Sequence, residues 1–257
     1  MSNQHFHSRE GQRVPTVDFK LIRDGLLETR TSSEIFDGRT VIVFALPGAY
    51  TPTCSTAHLP RYNELAPAFA AQGVDEIVCL SVNDAFVMDA WAREQQAANV
   101  SLIADGNGDF SREMGLLVDK SDLGFGDRSW RYSMLVRDGV IEKQFIEPDQ
   151  PGDPYEVSDA DTMLGYLSPE NAERPLSVTL FTKPGCGHCA RARQALRDRN
   201  IGFEEVSLGK GVSTSTLRAV SGRSTSPQVF VDGQPIGGAD ELETFLTARD
   251  AGGSKAA

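Results

Sequence analysis

The sequence predicts an α/β protein built as two successive domains. Three observations predict this. Short β-branched runs alternate with stretches of helical periodicity. A polar segment flanked by prolines, Ser168 to Pro175, interrupts that alternation. A fresh strand–helix–strand pattern starts immediately behind it. The expected division is residues 1–167, a linker over 168–175, and residues 176–257. Strands alternating with helices imply sheets covered by helices.

In the first domain, Val41-Ile42-Val43-Phe44 reads as a buried strand and Ile77 to Val82 as a second. Ser101 to Ala104 is a third. Ser133–Val136 and Val140–Lys143 form a hairpin across Arg137-Asp138-Gly139. Helical periodicity follows Cys54 as far as Ala70 and recurs from Ala85 to Trp91. Pro148, Pro151 and Pro154 exclude regular structure between them, because each removes a donor and fixes φ. A short helix over Asp159 to Leu167 closes the domain.

The second domain starts with the strand Ser177 to Phe181. A helix follows from about Cys189 to Arg199, then a strand at Gly202–Val206 and a helix around Ser215–Ser221. The hairpin Gln228–Gln234 turns at Asp232-Gly233, and a last helix starts at Asp240.

The chain has 257 residues and a formal net charge of −11. An acidic surface repels phosphate backbones and anionic headgroups, so neither nucleic acid nor membrane is an expected partner. The start, MSNQHFHSREGQRVP, has no apolar stretch of signal-peptide length, and the apolar runs are strand-sized. The expected compartment is the cytoplasm. Its reducing poise makes the four cysteines chemistry or core before structural disulfides.

Cys54 follows a buried strand through Pro47-Gly48-Ala49-Tyr50-Thr51-Pro52-Thr53 and lands in the first turn of a helix. Unpaired amides and the helix dipole there favour thiolate, the nucleophilic form. Thr51 can offer its hydroxyl to the sulfur or to a bound oxygen. A small buried hydrophobe fits the position equally well. Cys79, inside Ile77-Val78-Cys79-Leu80, reads as core. His58 at i+4 either faces the thiol or simply lines the surface or the pocket. Phe86, Trp91, Phe125 and Trp130 fit either an interface or a core.

The spacing of Pro47, Thr51 and Cys54 resembles the peroxiredoxin active-site signature. Tyr50 to Ser55, His58-Leu59-Pro60, Ser81-Val82-Asn83-Asp84 and Phe86-Val87-Met88 resemble the type-five class of that family. Arg131-Tyr132-Ser133-Met134 matches the place of its active-site arginine. The resemblance runs from about Gly11 to about Leu167. It implies a thioredoxin fold and a Cys54 that becomes a sulfenic acid on reaction with peroxide. It implies that Arg131 stabilises thiolate and transition state, that Thr51 accepts from the peroxide, and that Pro47 shields the pocket. The domain has no second cysteine placed to resolve Cys54, so an outside thiol must do so.

Cys186-Gly187-His188-Cys189 follows a strand and opens a helix, which reads as a dithiol redox site. The helix N-terminus and Lys183 favour thiolate at Cys186, and Cys189, one turn in, is expected to be more buried. Structural zinc would need two more ligands, and only His188 is near, so no metal is expected. Residues 176–247 resemble a glutaredoxin, with Phe181 to Cys186, Thr225 to Val231 and Ile236 to Leu242 as the matching motifs. That implies a cis Pro227, backbone binding of glutathione at Ser226, and capping of its γ-glutamyl end by Gly238, Ala239 and Asp240. Lys183 would attract the glycine carboxylate. The inner Gly-His pair, Ser226 and Ala239 depart from the usual residues of that family.

Over nearly its whole length the chain resembles bacterial hybrid peroxiredoxin–glutaredoxin proteins. Two thioredoxin-fold domains are implied, each a mixed sheet flanked by helices. The expected function is a glutathione-dependent peroxidase acting on hydrogen peroxide and alkyl hydroperoxides. No bound cofactor is expected, glutathione is the reducing co-substrate, and the assembly is a homodimer or tetramer. The Gly-His pair keeps open a general protein thiol–disulfide oxidoreductase or redox relay with the first domain as docking module.

Overall fold

The structure, a computed structural model, describes residues 6–150, 152–169, 176–199, 201–209 and 211–253. The chain divides into two compact units, Met1–Ala172 and Glu173–Ala257. Residues 170–175 of the expected linker lie outside the described residues; Ser168 closes the preceding helix through its N–H to Leu164.

The first unit is built on seven strands: β1 (Asp18–Arg23), β2 (Leu26–Thr31), β3 (Thr40–Ala45), β4 (Glu76–Ser81), β5 (Ser101–Ala104), β8 (Tyr132–Arg137) and β9 (Val140–Ile146). Their spatial order is β2-β1-β5-β4-β3-β8-β9. A separate small pair is β6 (Leu117–Asp119) with β7 (Asp127–Ser129). β3, β4 and β5 run parallel, and the flanking strands are antiparallel to them. The central strands are apolar residue after residue because both faces are covered. Ile42 and Phe44 face one core with Cys54, Tyr62 and Trp91. Val41, Val43 and Ala45 face another with Phe110 and Met134.

The helices are α1 (Ser32–Phe36), α2 (Leu59–Ala71), α3 (Ala85–Glu94), α4 (Asp109–Glu113) and α5 (Ala160–Leu167). Asp84 and Asp159 cap α3 and α5 by accepting first-turn amides, which fixes where each helix starts. Trp91 and Trp130 are core residues, whereas Phe86 and Phe125 are exposed. The hairpin turn is tighter than the three residues expected. Arg137 stays in β8, and Asp138-Gly139 turn with φ of 47° and 74°, the paired left-handed geometry that suits a twisted two-stranded ribbon.

The second unit has a four-stranded sheet ordered β11-β10-β12-β13: β10 (Val178–Thr182), β11 (Glu204–Ser207), β12 (Gln228–Val231) and β13 (Gln234–Gly237). β10 and β11 are parallel; β10–β12 and β12–β13 are antiparallel. Helices α6 (Gly187–Arg197), α7 (Thr214–Ser221) and α8 (Ala239–Gly253) accompany it. Leu180, Leu196, Val229 and Leu242 are fully buried in its core. Helix α6 starts two residues before the expected Cys189, because Cys186 itself caps it.

Candidate active site

The first candidate site forms where β3 ends. The chain leaves the sheet at Leu46 and turns through Pro47 and Gly48, both buried. Asn83, just past β4, holds that turn: its side-chain oxygen accepts from the Ala49 amide at 3.0 Å and from the Ser81 hydroxyl at 2.8 Å. The Thr51 hydroxyl donates to the Gly48 carbonyl at 2.9 Å. Its proton is therefore spoken for, and its lone pairs are what it offers to a ligand. Pro52 and Thr53 are already helical, and Cys54–His58 form one wider, π-type turn that runs into α2. Such turns occur often at functional sites.

Cys54 is fully buried. Its Sγ lies 3.5 Å from Nη2 of Arg131, which directly precedes β8. Arg131 is no solvated strand-edge charge: its side chain is 1% exposed. A buried cation needs partners, and four groups surround it. Nη1 donates to His58 Nδ1 at 2.9 Å. Nη2 donates to both carboxylate oxygens of Asp153 at 2.6 Å. The Tyr155 ring lies 5.6 Å from the guanidinium carbon. Nε is buried and has no acceptor among the described residues.

His58 is fully buried and packed at a tilt against Phe44, Tyr62 and Tyr155, so the surface reading of this residue is wrong and the pocket-lining one right. An arginine can only donate, so His58 Nδ1 must accept and Nε2 must carry the proton. Nε2 donates it to the Ser158 carbonyl, 3.2 Å away. Burial, and then repulsion by Arg131, hold His58 well below the usual histidine range and keep it neutral. Ser158 is fixed in turn by Glu147, whose buried carboxylate accepts from the amides of Glu156, Val157 and Ser158 and from the Ser158 hydroxyl. Cys79 is core, and burial pushes its thiol well up.

Sequence reasoning named Cys54, Thr51, Pro47 and Arg131; the structure brings Arg131 onto Cys54, and sets Thr51 three residues before Cys54 with its hydroxyl on Gly48. It missed the second layer: Asp153, Tyr155 and Glu147. An acidic residue inside a proline-fixed loop was the available signal for Asp153.

The second candidate site lies at the N-terminus of α6. Cys186 caps the helix, with its Sγ accepting the Cys189 amide at 3.2 Å. Cys186 is half-buried, Cys189 is fully buried, and the two form a disulfide. The Ser226 carbonyl lies 3.5 Å from Cys186 Sγ, and the Ser226–Pro227 peptide is cis. Lys183 and His188 are exposed. The Gly238 amide is already engaged by the Glu241 carboxylate at 2.9 Å, and Asp240 pairs with Arg191. Of the expected γ-glutamyl cap, the Gly238 donor is therefore occupied, and Ala239 is buried as the first residue of α8. Among the described residues no group of three His, Cys, Asp or Glu is arranged to hold a metal.

Residues 9–164 match the Redoxin family and residues 178–236 the Glutaredoxin family. The hybrid peroxiredoxin hyPrx5 of Haemophilus influenzae is 57% identical over 239 residues, covering 93% of this chain and 99% of that one. The chain belongs to the hybrid peroxiredoxins, a peroxiredoxin fused to a glutaredoxin. Both units have thioredoxin-type folds. The peroxiredoxin unit is also similar to a Synechocystis peroxiredoxin, 56% identical over 64% of this chain and 93% of that protein. Among solved structures it resembles reduced Prx3 of Vibrio vulnificus in complex with hydrogen peroxide. That likeness has a TM-score of 0.59 at 40% identity, over 63% of this chain and 99% of that one. The hybrid peroxiredoxin's peroxidase chemistry thus belongs to the unit that contains Cys54.

Proposed function

We propose that this protein is a glutathione-dependent peroxidase for hydrogen peroxide and alkyl hydroperoxides, with Cys54 as the reacting sulfur. The observation that carries the reading is the buried Arg131 guanidinium 3.5 Å from Cys54 Sγ, kept cationic beside a neutral histidine. An arginine is always charged and donates in several directions, so it favours thiolate and the charge that grows on the departing oxygen. The Cys54 thiolate attacks the outer peroxide oxygen. The O–O bond breaks, the alcohol or water leaves with a proton, and Cys54 becomes a sulfenic acid. Thr51 accepts a hydrogen bond from the peroxide, and Pro47 limits access by water.

Recycling uses the second unit. Glutathione condenses with the sulfenic acid, giving a mixed disulfide and water. The Cys186 thiolate takes over the glutathionyl group and releases the Cys54 thiolate. A second glutathione then leaves with the first as glutathione disulfide. Cys189 offers a second exit by closing the disulfide with Cys186. Ser226 and the cis Pro227 present backbone to the bound tripeptide, Lys183 attracts its glycine carboxylate, and Ala239 and Asp240 receive its γ-glutamyl end. Tethering puts the donor at roughly millimolar effective concentration. No bound cofactor takes part. The expected setting is cytoplasmic, and the expected assembly is a homodimer or tetramer.

The test is peroxide consumption with glutathione as sole reductant. Turnover is expected for the intact protein, none for Cys54→Ser, and slowed recycling for Cys186→Ser. Peroxide consumption that survives Cys54→Ser overturns the assignment.

A further inference from the structure

We propose that Asp153 determines which peroxides the site accepts: paired with Arg131 at the outer edge of the pocket, it favours neutral hydroperoxides and turns away anionic ones. The inference rests on Cys54 and Arg131 being the peroxide-reducing pair.

The argument starts from position. The Arg131 side chain is 1% exposed and that of Asp153 is 39% exposed, so the carboxylate stands between the guanidinium and solvent. Both carboxylate oxygens sit 2.6 Å from Nη2, the nitrogen that also approaches Cys54. Asp153 is thus the solvent-facing charge on the guanidinium that contacts the sulfur.

The carboxylate is also held there. It lies between Pro148 and Pro154, whose rings fix φ, and Pro154 is buried. Just beyond, residues 156–158 are pinned by Glu147. A carboxylate followed directly by a buried proline keeps its geometry at lower entropic cost.

The charge balance decides the consequence. Guanidinium and carboxylate cancel, and His58 is neutral because its Nδ1 accepts from Arg131. With Cys54 as thiolate, the cluster carries one net negative charge. Arg128 binds the Val82 and Phe125 carbonyls beside Gly48 and keeps its charge whichever residue stands at 153. An anionic peroxide thus meets repulsion that a neutral one does not. Two like charges a few ångströms apart in a partly screened site differ by roughly tenfold in rate from a neutral pair. A neutral peroxide meets no such repulsion and can still donate to the Thr51 lone pairs.

Single-turnover oxidation of Cys54, read by trapping its sulfenic acid, tests this in the full chain. The probes are tert-butyl hydroperoxide and a tertiary hydroperoxide of the same skeleton bearing one carboxylate. Asp153→Asn is expected to shift the rate ratio about tenfold towards the anionic probe, whereas Asp153→Glu keeps the starting ratio. Added salt should speed the anionic probe more in the parent protein than in Asp153→Asn. Asp153→Ser serves the same comparison if the asparagine variant fails to fold. If the parent protein oxidises Cys54 with neither probe, the peroxidase assignment itself falls. If it does react and the ratio is the same with and without the carboxylate, the peroxidase stands and the role of Asp153 is overturned.

Discussion

The two thiol sites solve one problem with different materials. Both Cys54 and Cys186 stand at helix starts, where backbone amides favour a thiolate. Cys54 is fully buried and adds a buried guanidinium. Cys186 is half-buried and relies on the helix end, including the Cys189 amide on its sulfur. The difference follows from what each must meet. A peroxide is small and can enter a closed pocket, where a fixed charge is worth most because little water screens it. In the proposed cycle the partner of Cys186 is a sulfur on a larger molecule, which requires an open approach. The comparison teaches that burial decides how large a partner each sulfur can meet, and that the buried sulfur is the one given a guanidinium.

The largest expected effect breaks the buried site. Arg131→Gln should slow the oxidation of Cys54 by roughly a thousandfold, since it removes the charge and leaves His58 Nδ1 and Asp153 without their donor. Stopped-flow rates with hydrogen peroxide measure this. A loss below about tenfold would mean that the helix end alone suffices, as at Cys186. Next comes Thr51→Val, which deletes an acceptor for the peroxide and the tie to Gly48. A loss of about 10–100-fold is expected in the same step, with Thr51→Ser close to the parent. Cys186→Ser sharpens the contrast from the other side. Steady-state turnover with glutathione should fall about tenfold, while single-turnover oxidation of Cys54 stays unchanged.

Much of this was legible in the sequence, for local reasons. Asp138-Gly139 and Asp232-Gly233 announce hairpins by a dipeptide that tolerates left-handed φ. Asp24-Gly25 makes the same turn between β1 and β2, yet that hairpin escaped notice. Its strands are half-exposed and lack the continuous apolar run of β3 and β4. The site divides in the same way. Thr51 and Cys54 are close in the chain, and Arg131 was found only by resemblance, 77 residues from its sulfur. The groups that hold Arg131 lie 73 and 22 residues from it. No local spacing reports such a pair. Only folding, with Glu147 gathering the loop at 156–158, brings them into contact.

The smallest expected effect concerns the histidine that tells the two sites apart most sharply. His58 is buried and neutral, while His188 beside Cys186 is exposed. Burial and Arg131 depress the folded-state pKa of His58 well below its ordinary value. The sign follows directly. Above about pH 6.5 folded and unfolded chains both hold a neutral imidazole, and pH has no leverage through this group. Below it the unfolded chain takes a proton that the folded one refuses, because protonation would set a second donor and a second positive charge against Arg131. Stability should therefore fall with pH by up to ~1.4 kcal/mol per unit below that point. His58→Asn keeps an acceptor for Arg131 and cannot titrate, so the slope of its unfolding free energy between about pH 6.5 and 5.5 should be shallower than the parent's. Equal slopes, measured by denaturant unfolding, would mean that His58 takes up its proton inside the fold. The neutral partner of Arg131 would then be lost at mildly acidic pH, and a second cation would stand beside it.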